Sequence, residues 1–261
     1  MAKIIAVTNQ KGGVGKTTTA VNLSSCLAAA EYKTCLVDMD PQANSTSGLG
    51  VDKNDVEFSI YDVLLDNKTF LESVRETELA YLHLMPSSIS LVGAEVELVS
   101  MMSRESRLRT AIESIRDEYQ YIIIDCPPSL GLLTINTLTA ADSAIIPIQS
   151  EYYALEGLGQ LMNTIKLVQE NLNPDLQIEG VLLTMYDQRL RLSREVQSQI
   201  RDHFNSKVYD TVISRNVRLS EAPSFGKPII LYDVLSTGAE NYMALTREIL
   251  NNEKNGSGQR A

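Results

Sequence analysis

The sequence is short of the features that mark disulfide-built, zinc-stapled or membrane-spanning proteins. Its 261 residues include only three cysteines, Cys26, Cys35 and Cys126, none at C-x-x-C spacing. A disulfide or zinc framework is thereby excluded, and the thiols read as reduced residues inside helices and strands. No run of about 18 apolar residues occurs, so no segment is expected to span a bilayer as a helix. Met1-Ala2-Lys3 leads straight into a strand and leaves no room for the apolar stretch of a secretory signal, so a soluble cytoplasmic protein is expected. Positive charge is scarce too: 23 Lys and Arg stand against 33 Asp and Glu, a net charge of −10. A molecule of that charge does not attract nucleic acid as a whole, so any such contact must come from a local patch.

What is present points to a substantial core. Hydrophobic residues make up 44% of the chain with no break in composition, which suits one α/β domain over residues 1–250 and a polar, disordered tail over 251–261. The apolar run Ile4-Ile5-Ala6-Val7 is followed by Lys11-Gly12-Gly13-Val14-Gly15-Lys16-Thr17-Thr18. A strand that breaks into glycines and then opens a helix aims several backbone N–H groups at one point, where polyphosphate is the fitting ligand. Gly12, Gly13 and Gly15 allow positive φ and close approach, Lys16 can reach the β- and γ-phosphates, and Thr17 offers a hydroxyl to Mg²⁺. One residue departs from the usual G-x-x-x-x-G-K-[ST] spacing: Gln10 stands where glycine is expected, and a second lysine, Lys11, sits at the mouth of the cradle. That lysine is either a surface charge or a second phosphate ligand.

The string from Lys11 to Thr18 resembles the deviant Walker A motif of the ParA/MinD group of ATPases. Asp38-Met39-Asp40-Pro41-Gln42, Asp125-Cys126-Pro127-Pro128-Ser129 and Arg218-Leu219-Ser220-Glu221-Ala222-Pro223-Ser224 extend the likeness to the short chromosomal ParA (Soj) partition proteins, from about Lys3 to Leu250. The resemblance implies a single-domain P-loop NTPase with a mainly parallel, twisted sheet and helices on both faces. It further implies an ATP- and Mg²⁺-dependent ATPase of low intrinsic turnover, in which Lys11 reaches the nucleotide of a second copy. Asp40 would orient the attacking water, while Asp38 lies near the metal, or else caps its loop. Asp125 would hold Mg²⁺ through water, at the end of the buried strand Tyr121-Ile122-Ile123-Ile124. Arg215 and Asn216 fall where the family borders the adenine. A ParB-type centromere-binding protein is the implied partner, and the start at Lys3 leaves no place for an operator-reading helix-turn-helix.

Residues 42–50, rich in Ser, Asn and Gly, read as a mobile switch loop. Residues 94–119 read as one long helix with Arg104, Arg107 and Arg109 on a solvated face, or else on a surface for a partner protein. From Asp187 to Lys227 the balance reverses, with eight basic residues against five acidic ones. That window is +3 and the remainder −13. Guanidiniums at this density, with no aromatic platform for stacking bases, suit phosphate contacts that ignore sequence, or simply a solvated basic helix face. The resemblance favours nonspecific double-stranded DNA, held by Arg189, Arg218 and Lys227 of an ATP-dependent homodimer. The polar tail lacks the apolar stripe with which the MinD branch enters lipid, so no membrane contact is expected. An iron–sulfur role would need bridging cysteines that only Cys126 could begin to supply.

Overall fold

The computed structural model describes residues 1–151 and 154–258. Along the chain it runs β1 (Lys3–Val7), α1 (Lys16–Ala29), β2 (Thr34–Asp38), α2 (Asn44–Gly48), α3 (Ile60–Leu64), α4 (Phe70–Ser73), β3 (Arg75–Glu76) and β4 (Leu82–Met85). It continues α5 (Leu91–Glu97), α6 (Arg107–Glu113), β5 (Tyr121–Asp125), α7 (Leu132–Ala140), β6 (Ser143–Gln149), α8 (Ala154–Asn171) and β7 (Gln177–Thr184). The chain closes with α9 (Arg191–Phe204), α10 (Val217–Glu221), α11 (Ile229–Tyr232) and α12 (Thr237–Gly258).

The strands join in one sheet of order β3-β4-β2-β5-β1-β6-β7, parallel except for the antiparallel edge strand β3. Such a sheet must be covered on both faces, and its strands accordingly read as near-continuous apolar runs. Side chains alternate between two cores. Ile4, Val37, Ile122 and Ile124 face the side packed by α5 to α9, and Ile5, Leu36 and Ile123 face α1 and α12. Fully burying one such side chain contributes about 1.5–3 kcal/mol. β1 lies between β5 and β6, and Asp38 of β2 stands in register with Asp125 of β5. The fold thus delivers two carboxylates and the glycine loop to one edge of the sheet, the edge where open α/β sheets take ligands.

Three sequence expectations are corrected here. Residues 42–50 contain the short helix α2, with Ser45 and Thr46 fully buried. The long helix over 94–119 is broken between α5 and α6. Ser103 takes φ 53, and just after it the Asn136 side chain pins the entry to α6, donating to the Arg104 carbonyl and accepting from the Leu108 N–H. Arg107 is correspondingly not a free surface charge: it donates to the Leu64 carbonyl and pairs with Asp66. The last helix, expected to stop at Leu250, runs on to Gly258. Glu253 explains the extension, since it accepts from Tyr121 Oη at 2.5 Å and pairs with Lys3 at 2.7 Å. Residues 259–261 of the expected disordered tail lie outside the described residues.

Candidate active site

Asn9 shapes the entry to the loop, accepting from the Lys11 N–H at 3.0 Å and donating to the Pro147 carbonyl at 2.7 Å. Gly13 (φ 72) and Gly15 (φ 87) take the left-handed backbone conformations that other side chains resist, whereas Gly12 is not among the positive-φ residues. A Cβ on Gly12 or Gly13 would meet nothing within 4 Å, so open space adjoins the loop at both positions. Buried Val14 anchors the other side through its carbonyl, which accepts from Thr184 Oγ1 at 2.8 Å. Gly15 caps α1, whose first turn carries Lys16, Thr17 and Thr18 with their N–H groups unpaired within the helix.

Lys16 is buried, and its Nζ donates to the Lys11 carbonyl at 3.1 Å. Burial lowers its pKa, against the pull of Asp125, Cys126 and Asp40, so this ammonium stands in the field of the acidic strand ends. Lys11 is different. Its side chain is 35% exposed and meets Glu151 at 3.3 Å, a pair worth about 1 kcal/mol or less. An ammonium held so weakly at the mouth is free to exchange partners.

The three carboxylates divide their work. Asp38 Oδ1 accepts from the Asp40 N–H at 3.1 Å. Its Oδ2 accepts from both the N–H and the hydroxyl of Thr46, at 2.8 and 2.7 Å. Complete burial demands such donors, and they tie Asp38 to the 42–48 segment. Asp125 is equally buried. Ser45 Oγ donates to its Oδ2 at 2.8 Å, and its Oδ1 has no protein partner. Burial raises the Asp125 pKa, and Asp38 and Asp40 raise it further, as expected of a carboxylate crowded by its own sign. Asp40, 8% exposed, accepts the Gln42 N–H at 2.9 Å and otherwise faces the same edge.

Other buried polar atoms at this edge also lack protein partners, among them Gln10 Oε1 and Ser150 Oγ. Unpaired buried groups are costly, so their clustering around an open loop marks a place for a polar ligand. No group of three or more His, Cys, Asp or Glu side chains among the described residues forms a metal-holding cluster. Mg²⁺ is ordinarily held by one or two protein oxygens together with substrate phosphates. Thr17 Oγ1 and Asp125 Oδ1 are the oxygens available.

A cavity of about 250 Å³ adjoins the loop, lined by Gly15, Thr18, Arg215, Asn216, Leu219 and Tyr242. Arg215 and Asn216 thus share one cavity with the helix-opening residues Gly15 and Thr18. Asn216 also caps α10 by accepting from the Arg218 N–H at 2.8 Å. The residues expected to face DNA are all on the surface, and each has an acidic neighbour. Arg189 pairs with Asp187 at 2.7 Å, Arg218 with Glu221 at 2.9 Å and Asp233 at 3.4 Å, and Lys227 with Glu78 at 3.6 Å. The loop bearing Arg189 joins that bearing Arg215 through Tyr186 and Ser214. Sequence reasoning missed Ser45, Thr46 and Thr184. The first two carried a signal, being hydroxyls in a polar segment just after an acidic strand end.

Comparison with known proteins agrees with this geometry. The AAA_31 family model, described as an AAA domain, matches residues 2–178. The sporulation initiation inhibitor protein Soj of Bacillus subtilis is 60% identical over 252 residues, covering 97% of this chain and 100% of that protein. The chromosome partitioning protein ParA of Myxococcus xanthus is 56% identical over 250 residues, covering 96% and 88%. Among solved structures, cobyrinic acid a,c-diamide synthase of Mycobacterium smegmatis, with bound ATP analog and magnesium, superposes with a TM-score of 0.87 at 36% identity, covering 98% and 97%.

Proposed function

From membership of the ParA/Soj family of chromosome-partitioning ATPases, to which this chain belongs, we propose that the protein is an ATP-driven switch for moving chromosomal DNA. ATP is its substrate and Mg²⁺ its metal. The backbone N–H groups of residues 12–18 and the Lys16 ammonium cradle the phosphates, Thr17 and Asp125 hold the metal, and the base lies against Arg215 and Asn216. Mg²⁺ neutralises phosphate charge when bound. Asp40 accepts a hydrogen bond from the attacking water and orients it, and Lys16 with the loop N–H groups offsets the charge that develops on the phosphoryl oxygens. Nothing in the site supplies a strong base, consistent with slow intrinsic turnover.

The observation that carries this reading is one sheet edge combining an open glycine loop, Lys16, Asp40 and the half-satisfied Asp125, with a second lysine loosely held at its mouth. Lys11 leaves Glu151 for the nucleotide of a second copy, so ATP joins two protomers. The pair aligns Arg189, Arg218 and Lys227 of both copies as one surface for nonspecific duplex DNA. Each of these cations meets a carboxylate within its own protomer, so a single copy offers the duplex little net positive charge. Hydrolysis, accelerated by a ParB-type partner with a basic N-terminal segment, separates the pair. The protein works in the cytoplasm on the nucleoid, away from membranes.

A second reading keeps the same chemistry and gives the ATPase another cargo to position. The 56% identity to a chromosome partitioning protein supports chromosomal DNA over such cargo, and over the synthase activity named for the 36% relative. Sedimentation velocity in Mg-ATP tests the coupling. The wild type is expected to dimerise, and Lys11→Ala to bind ATP yet remain monomeric. A Lys11→Ala dimer in Mg-ATP would end the cross-subunit role.

A further inference from the structure

Helix α2 touches both buried carboxylates, but in different ways. Thr46 is a saturated anchor, giving its N–H and hydroxyl to Asp38 while its Oγ1 accepts from the Ser87 N–H at 2.9 Å. Its neighbour Ser45 reaches across 80 positions of sequence to Asp125 Oδ2 at 2.8 Å, on a carboxylate whose other oxygen is bare. A hydroxyl is the weaker substitute for a cation on a buried carboxylate, so this bond matters most before a metal arrives.

The far end of the same helix meets the basic surface. α2 runs into Gly50 (φ 81), whose backbone lies directly against Gly226 (φ 62). A Cβ on Gly226 would fall 2.6 Å from Gly50 Cα, and one on Gly50 3.0 Å from the Gly226 carbonyl oxygen. No side chain cushions that contact. Gly226 sits between Arg218 and Lys227, and the 3₁₀ turn Ala222–Phe225 packs on α2. The helix between them is short: its five residues, at about 1.5 Å each, span only about 7 Å.

We propose that Ser45 is a positioning residue that stands in for the metal on Asp125, and that α2 passes its release, through Gly50 and Gly226, to the loop bearing Arg218 and Lys227. When a cation engages Asp125, the hydroxyl is no longer required there and Ser45 turns away. Thr46 stays bonded to Asp38, so α2 pivots rather than detaches. Because the two glycines touch without free space, the pivot displaces residues 222–228. Two discrete arrangements of one small element, each biased by a different site, give the coupling a physical basis. This rests on the reading of Asp125 as the metal-holding carboxylate, and it adds a route within one protomer from metal to DNA surface.

The test uses the full chain with Mg²⁺ and a non-hydrolysable ATP analogue, in two readouts that need neither DNA nor dimerisation. The first is the Mg²⁺ concentration that half-saturates analogue binding. Loss of a hydrogen bond to a buried charge makes the metal-free state less favourable, so Ser45→Ala is expected to lower that concentration roughly tenfold, and Ser45→Thr, which keeps the hydroxyl, to restore it. An unchanged half-saturation in Ser45→Ala overturns the stand-in role. The second is amide hydrogen exchange. In the wild type, Mg²⁺ and analogue are expected to change protection at 44–50 and 222–228 together. In Ser45→Ala the 44–50 amides are expected to exchange faster before any nucleotide is added. A wild-type response at 44–50 with none at 222–228 overturns the transmission, even if Ser45→Ala does not fold. Analogue binding insensitive to Mg²⁺ in the wild type would instead remove the underlying metal assignment.

Discussion

Asp40 and Asp38 are two residues apart and do opposite things, because what surrounds each decides what it can offer. Asp38 is spent on Thr46 and the Asp40 N–H, whereas Asp40 accepts one hydrogen bond, from the Gln42 N–H. Replacing Asp40 with Ala is expected to leave ATP binding within a few-fold of wild type and to lower turnover by about 10²-fold or more, the usual scale for losing a water-orienting or proton-accepting group. A phosphate-release assay checks this; ordinary turnover in Asp40→Ala would reassign the role. The glycine loop was legible from sequence because its constraints are local: a strand, glycines, and a lysine and threonine at fixed offsets. The fate of Asp38 was not, because it depends on a threonine eight residues on, whose position no periodicity reveals.

Elements that carry their own periodicity were readable, and those fixed by distant side chains were not. Strands β1, β2 and β5 announce themselves as buried apolar runs, and α9 as an amphipathic helix with a basic outer face. The interruption between α5 and α6 escaped because Asn136, about thirty residues later, holds it. The end of α12 escaped for the same reason. Its sequence is polar, yet Glu253 is fastened to Lys3 and Tyr121 at the opposite edge of the sheet from the nucleotide loop. Lys3 also pairs with Glu179 at 2.8 Å, so one partly buried ammonium ties α12 to β1 and β7. Lys3→Ala is therefore expected to reduce stability by about 1–2 kcal/mol and to speed amide exchange over residues 250–258, with ATP binding unchanged. Exchange at those residues no faster than in the wild type would show that the helix end holds without this lock.

Charge over the whole molecule sets the conditions for any meeting with DNA. A chain of net charge −10 is repelled by a duplex unless its few cations act together, and in one protomer Arg189, Arg218 and Lys227 are each already matched to an acid. Exposed pairs of this kind are weak, so in the proposed dimer these cations would trade their carboxylates for phosphates. The double change Arg189→Glu, Arg218→Glu is expected to abolish DNA retention while leaving nucleotide hydrolysis near wild type. DNA retention that persists in that variant would move the surface elsewhere.

The measurement that bears most directly on the central claim is retention of the wild-type protein on nonspecific duplex DNA in Mg-ATP, in Mg-ADP and without nucleotide, each across a salt series. Retention in Mg-ATP alone, weakening steeply as salt rises, is the outcome expected if nucleotide assembles the basic surface. Equal retention in all three conditions would contradict it.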